Sequence, residues 1–426
     1  MNESIKKRIE AVRRGEVPEG YTETGAGCIP TDWSSAPLSE VSDVLSEQAG
    51  DREFETLSIS AGIGFVNQAE KFGKELSGKQ YTKYTVLRRG DFAYNKGNSK
   101  RYPQGCTYML REQDEAAVPN VFECFRITQG HPEYYEQLFI NGFMNKQLTR
   151  KINHGVRDDG LLNLTDDDFY STVLPVPPLV EQQKIAEILA ACDRVIELKQ
   201  QLLEEKRRQK QWLMQKLLDP NSGVRLPGFA GSIWKACRLG DITDIYSGGT
   251  PDTETEDFWG GDVLWCTPSD ITNTGKYIEQ TETTISESGL QKSSAVLLPV
   301  GAVLMCSRAT IGPRTIAKVP ITTNQGFKNF VCKENLDNEF LYYALETVLP
   351  DLLKNAAGNT FKEVSKSDIA KSKLLVPSLA EQRAIACSLA TADIELDLIE
   401  QELAAWRQKK KALMQLLLTG LVRVNA

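Results

Sequence analysis

Between Leu87 and Tyr102 the chain reads Leu-Arg-Arg-Gly-Asp-Phe-Ala-Tyr-Asn-Lys-Gly-Asn-Ser-Lys-Arg-Tyr, with cations set among an aromatic ring, amides and a hydroxyl. Arg and Lys hold phosphates, Tyr offers a stacking face, and Asn or Ser reaches base edges, so the mixture suits a nucleic-acid surface. From Lys83 to Arg101 six basic residues face one acid, net +5, and the count recurs from Gln291 to Asn335. Candidate phosphate contacts are Arg88, Arg89, Lys96, Lys100 and Arg101, then Arg308 and Lys328; Tyr94 is the candidate stacking ring, and Asn95, Ser307, Asn324 and Gln325 are candidate base readers. An exposed basic loop without a ligand explains any one of them equally well. The chain as a whole carries −7, and Gly240 to Leu290 alone carries −10. Local patches rather than the total decide where a phosphate backbone can lie.

Other chemistries find little support. The two histidines, His131 and His154, have no metal-ligand spacing, and the nine cysteines are scattered without a Cys-x-x-Cys pair, so no metal site is expected and the thiols read as reduced cytoplasmic residues. Asn273-Thr274-Gly275-Lys276-Tyr277 lacks the leading Gly and the final hydroxyl of a phosphate-binding loop. No Gly-rich strand-to-helix turn is present to cradle S-adenosylmethionine, and no Asn-Pro-Pro-aromatic run to hold a flipped adenine. The acid-x-Lys triplets a nuclease would need, Glu197-Leu198-Lys199 and Glu204-Glu205-Lys206, fall in a helical stretch where surface charge explains them. No apolar run approaches 18 residues and the N-terminus lacks a hydrophobic signal core, so neither membrane spanning nor export is expected.

Positioning those candidates is the task of a repeat. Leu174 to Pro220 recurs, two hundred residues on and without a gap, as Leu374 to Gly420, with 21 identities in 47 positions. Each copy opens on Pro and then runs about 40 residues without Pro or Gly, which predicts one long helix of roughly 60 Å. Ser378 and Glu381 form a capping-box pattern at the start of the second copy. Ile185, Leu189, Ile196 and Leu203, and likewise Ile385, Leu389, Leu396 and Leu403, keep the alternating four-three spacing of a coiled-coil seam, which Lys199, Lys206, Lys210 and Lys410 interrupt. Neither helix can bury its seam alone, so the two are expected to pack together. A short N-terminal pattern, Ile5, Ile9 and Val12, reads as a third piece of that coiled-coil region.

The regions before each helix share a frame as well. Trp33 to Val41 matches Trp234 to Ile242, and Leu164 to Phe169 matches Val364 to Ile369, whereas the middles diverge. With 426 residues the chain is a tandem duplication of globular domain plus long helix. Strands are expected at Tyr84 to Leu87, Asp91 to Tyr94 and Val121 to Ile127.

Ser247-Gly248-Gly249-Thr250-Pro251, the run Phe258 to Trp265, Leu298-Pro299-Val300-Gly301, Ser307 to Gly312 and Thr323 to Lys328 resemble the target-recognition domain of type I restriction-modification specificity subunits. The two Pro-x-Leu-x-Glu-Gln helices resemble that family's conserved spacers. The resemblance implies an α+β fold in which two mixed α/β target-recognition domains are separated by two long helices packed as an antiparallel, pseudo-twofold coiled coil. The implied divisions are an N-terminal helical segment, 1–24; recognition domains at 25–178 and 223–378; and spacer helices at 179–222 and 379–426. Each domain would read half of an asymmetric bipartite site in double-stranded DNA, and the helices would set the gap. The chain would be a cytoplasmic, non-catalytic subunit bound to two modification subunits and to restriction subunits. S-adenosylmethionine, ATP and magnesium would belong to those partners. Glu181, Gln182, Glu381 and Gln382 recur at one helical position, and two causes stand side by side: a first-turn Glu complementing the helix dipole, or a docking site for the modification subunits. A coiled-coil adaptor presenting two protein- or glycan-binding domains is the alternative.

Overall fold

The computed structural model of this protein describes residues 3–72, 78–97, 102–152, 161–355 and 363–424. It divides into two compact units, Met1–Gln200 with Glu402–Ala426, and Gln201–Gln401. Each unit therefore owns one globular domain and half of each long helix.

In the first unit a four-stranded antiparallel sheet has the order Ser42–Val44, Glu123–Ile127, Phe92–Asn95, Cys106–Met109. Its side chains alternate between two cores, because successive residues of a strand point to opposite faces. Phe92, Tyr94, Phe125 and Met109 join a large core with Tyr134 and Leu138 of helix Pro132–Ile140. Ala93, Cys124 and Leu110 face a smaller core with Leu57, Leu87 and Phe122. Both faces are covered, which explains the nearly continuous apolar runs. Ser34–Pro37 pairs with Val173–Val176 and closes the domain just before the helix begins.

The second unit repeats this plan with other residues. Its five-stranded sheet runs Thr243–Ser247, Phe327–Cys332, Val303–Cys306, Arg314–Ala317, Tyr277–Ile278, the last pair parallel. Val303, Met305 and Phe330 face one core with Phe340 and Leu341 of helix Asn338–Asn355; Leu304, Cys306 and Phe327 face another. A three-stranded sheet, Thr283–Ile285, Trp259–Cys266 and Thr322–Thr323, adds a layer. Lys235–Arg238 pairs with Lys373–Val376 as the closing pair.

The long helices are Leu179–Leu217 and Leu379–Leu417, 39 residues each. At the start of the second, Ser378 Oγ accepts the Glu381 N–H at 3.4 Å, so half of the expected capping box forms while the Glu381 carboxylate turns elsewhere. Within the first unit Lys410 meets Asp193 at 2.6 Å and Lys199 meets Glu402; within the second, Lys206 meets Glu395 at 2.6 Å and Lys210 meets Asp393. As residue numbers rise on one helix they fall on the other, so the packing is antiparallel in each unit. The lysines that break the apolar seam thus carry an interhelical ladder. Asp193 with Lys410 and Asp393 with Lys210 are one pair displaced by the repeat.

Leu203, Ile399 and Leu403 are buried in the seam, and Ile196 and Leu396 are half-buried. Ile185 and Leu189 join the first domain's large core together with Met414 and Leu417, and Ile385 and Leu389 do the same in the second with Leu217. Each helix start is therefore a domain element as much as a coiled-coil strand. The N-terminal helix, Glu3–Arg13, ends at Gly15 with φ +76° and has no fully buried residue. It lies by the C-terminal tail, where Arg8 donates to the Leu421 carbonyl at 3.5 Å and stacks over Tyr21.

Candidate nucleic-acid interface

In the first domain Thr85–Arg88 turns at Gly90, φ +91°, into Phe92–Asn95, and cross-strand pairing brings acids to the basic stretch. Arg88 meets Glu47 at 2.8 Å and Glu115 at 3.2 Å. Donating a hydrogen bond to Glu47 raises the Arg88 guanidinium pKa further, and Arg88 in turn lowers the Glu47 carboxyl. Arg89 binds Asp114 at 2.8 Å and the carbonyls of Arg111 and Glu112. Lys96, mostly covered, sits 2.7 Å from both Glu123 and Asp166. Burial opposes its charge, yet the bonds to Asp166 and Glu123 outweigh it and raise the ammonium pKa. Burial also raises the Glu123 carboxyl, whereas Lys96 holds Asp166 low.

The local +5 is therefore matched at Arg88, Arg89 and Lys96 by acids distant in sequence. Lys100 and Arg101 lie outside the described residues, as does His154. Tyr94 is corrected from stacking ring to core: it is buried against Phe169, ring centroids 4.3 Å apart, with its hydroxyl donating to the Gln104 carbonyl. Asn95 closes a local turn by accepting the Gly97 N–H at 2.8 Å.

In the second domain the candidates converge around one tip. Ser307 is fully buried and donates its N–H and hydroxyl to the Gly326 carbonyl at 2.8 and 3.1 Å, so it is corrected from base reader to support. Lys328 is buried too, 3.5 Å from Ser307 Oγ and from Glu363, and is corrected likewise. Asn324 accepts the Gly326 N–H at 2.9 Å. Gln325 and Arg308 are exposed. The Thr250 hydroxyl bonds the Gln325 side-chain oxygen.

Strand register shows what the sequence concealed. Phe125 pairs with Phe92 as Phe330 pairs with Val303, which aligns Glu123 with Lys328 and, five residues before Phe125 and Phe330, Asn120 with Gln325. Both domains thus carry an exposed carboxamide at the same tip. Asn120 follows Pro119 in a short stretch without charge, so charge counting passes over it.

The four recurring Glu and Gln residues are at most 3% exposed, which places them inside the chain rather than on a docking face. Glu181 accepts the Trp33 indole N–H at 2.9 Å and a two-pronged bond from Arg423 at 2.7 and 2.8 Å. Glu381 accepts from Trp234 at 3.3 Å and from Ser232, with Arg225 at 4.0 Å. Gln182 accepts the His131 N–H and donates to the Pro177 carbonyl; Gln382 does the same with Asp337 and Pro377. These side chains clamp each domain to the start of its helix, a structural cause beyond the helix dipole. Among the described residues no cluster of three His, Cys, Asp or Glu could hold a metal, and no helix is long and apolar enough to cross a membrane.

The profile of the type I restriction modification DNA specificity domain matches residues 123–206 and 232–405, more than half of the chain. The chain belongs to this family of type I restriction-modification specificity subunits. It is 38% identical over 172 residues to the type I restriction enzyme MjaIX specificity subunit of Methanocaldococcus jannaschii, a match spanning 40% of this chain and 39% of that one. To the putative type I restriction enzyme MjaX specificity subunit of the same organism it is 24% identical over 448 residues, 96% and 97% of the two chains. The crystal structure of the HsdS subunit from Thermoanaerobacter tengcongensis aligns with TM-score 0.51 at 21% identity, over 92% of this chain and 98% of that one. A chain from a structural study of type I system assembly and conformational transition gives TM-score 0.58 at 20%, over 92% and 99%. Both solved structures share the fold of this chain.

Proposed function

We propose that this specificity subunit is the non-catalytic, DNA-reading member of its complex, and that each domain reads its own half of an asymmetric bipartite site in double-stranded DNA. The observation that carries this is the contrast inside the duplication. The Trp–Glu and Gln clamps, the closing strands and the Asp–Lys rung shared by Asp193–Lys410 and Asp393–Lys210 recur position by position, while the sheet loops around the two tips differ in residue and length. A repeat that kept its frame and varied its loops suits two readers of different sequences.

In this reading the long helices set the unread gap and dock two modification subunits, which bind S-adenosylmethionine and methylate the site. Restriction subunits using ATP and magnesium join that core in the cytoplasm. None of these cofactors is assigned to the present chain.

Exchanging residues 25–173 for the equivalent domain of a relative, followed by methylome sequencing, should change one half-site and leave the other half and the gap intact. Change in both halves would overturn modular reading. Inserting one heptad in each helix, about 10 Å of rise, should lengthen the gap by about three base pairs at roughly 34 Å per ten. A gel shift that ignores salt would favour the adaptor, since phosphate neutralisation makes DNA affinity fall steeply with ionic strength.

A further inference from the structure

We propose that Gln325 reads a single adenine in the second domain's half-site through its N6/N7 edge, and that Thr250 is the positioning residue that holds the Gln325 carboxamide at the tip. The inference rests on the DNA-reading function proposed above.

Gln325 stands exposed at a tip that is locked from three sides. Asn324 Oδ1 takes the Gly326 N–H from within, and Ser307 holds the Gly326 carbonyl from the neighbouring strand. The third side is the loop Ser247-Gly248-Gly249-Thr250. Gly249 donates to the Thr323 carbonyl at 2.9 Å, and the Trp265 indole N–H returns to the Gly249 carbonyl at 2.9 Å. No side chain fits at either glycine: a Cβ on Gly248 would stand 1.9 Å from the Asn324 carbonyl oxygen of the facing loop, and one on Gly249 2.3 Å from the Ser294 carbonyl carbon of a third segment. The two glycines therefore bring Thr250 to the Gln325 side chain.

A surface glutamine ordinarily turns through several rotamers and both amide orientations, and binding must remove that freedom. Here the Thr250 hydroxyl occupies one lone pair of Oε1. The second lone pair and the Nε2 hydrogens remain, so the held carboxamide offers one acceptor beside one donor. Adenine presents the complement, an N7 acceptor beside an N6 donor. Guanine offers two acceptors and cytosine only a donor, so neither matches both atoms. Asn120, at the same register in the first domain, is also a carboxamide, which fits an amide reader at this tip as a shared device.

The test uses the full chain assembled with its modification subunits and reads the methylated motif. Gln325→Leu should reduce discrimination at one adenine of one half-site by about tenfold or more, with every other position kept. Gln325→Glu, which can only accept, should shift that position toward cytosine. Thr250→Val should relax the same position less, and Thr250→Ser should restore it. An unchanged motif after Gln325→Leu, relaxation at a base other than adenine, or a Thr250→Val effect at a different position would overturn the inference. A wild-type motif that is not bipartite would instead overturn the underlying function.

Discussion

Lys96 in the first unit and Lys328 in the second tie down the same corner of the same sheet from opposite strands. Register aligns Lys96 with Ser307 and Glu123 with Lys328, so the cation has crossed from one strand to its neighbour. In both units the strand residue's carbonyl then receives the returning chain, Leu162 N–H on Lys96 and Val364 N–H on Ser307. The acid partner has moved as well, from Glu123 and Asp166 to Glu363. What this corner requires is a polar bridge to the closing segment, not a given residue in a given place. The Trp, Glu and Gln clamps allow no such exchange, because a buried indole N–H, a carboxylate and two backbone groups must all be satisfied in one geometry. Interiors of this kind can drift while their frames cannot.

The largest losses are expected at the clamps. Glu181→Ala leaves the buried Trp33 indole N–H without its acceptor and Arg423 with Asp32 alone, and should cost about 2 kcal/mol. Glu381→Ala, whose nearest cation is 4.0 Å away, should cost about half of that. Urea midpoints measure both. If Glu181→Ala left stability untouched yet abolished a complex with the modification subunits, the docking role expected from the repeat would be restored. At the lysine corner, Lys96→Met strands Glu123 beside Asp166 and should cost about 2 kcal/mol, while Lys328→Met, with partners at 3.5 Å, should stay within about 1 kcal/mol. Equal losses would mean that the two bridges are equally strong despite their geometry.

Asn120→Leu should relax one position of the first half-site by about tenfold and leave the second half-site untouched, read by the same methylome assay. Relaxation in both would end the correspondence between tips and halves. The smallest effect concerns pH. Arg423 binds Asp32 at 2.8 Å through its two terminal guanidinium nitrogens and lowers its carboxyl below the ordinary 3.8. A lowered folded pKa means that the contribution is full above 3.8 and is lost as pH falls through the lower folded value. The second unit has Ile233 where the first has Asp32, so acid should loosen the Trp33 clamp before the Trp234 clamp. Hydrogen exchange of the two indole N–H groups follows this directly, and simultaneous loss would remove Asp32 from the account.

Much of this was written in the sequence in a form that local physics preserves. A long run without Pro or Gly must be helix, a four-three apolar ladder must find a partner, and a gapless repeat must fold twice, so the helices and the duplicated frame were legible residue by residue. Charge was the misleading signal. The excess around Arg88, Arg89 and Lys96 is a property of a window of chain, and the fold cancels it with Glu47, Asp114, Glu115 and Glu123, brought close by strand pairing, and with Asp166 at the start of a short helix. Tyr94, Ser307 and Lys328 looked like surface chemistry because polar residues are usually exposed; their burial is decided by the strands and loops that cover them. The recurrence of Glu181, Gln182, Glu381 and Gln382 was visible, but its cause was not, since Trp33, His131, Asp337 and Arg423 meet them only after the chain has closed each domain against its helix. The sequence alone determined which segments are rods and which are repeats. Only the tertiary structure decided which side chains remain at the surface, because exposure depends on neighbours that are far away along the chain.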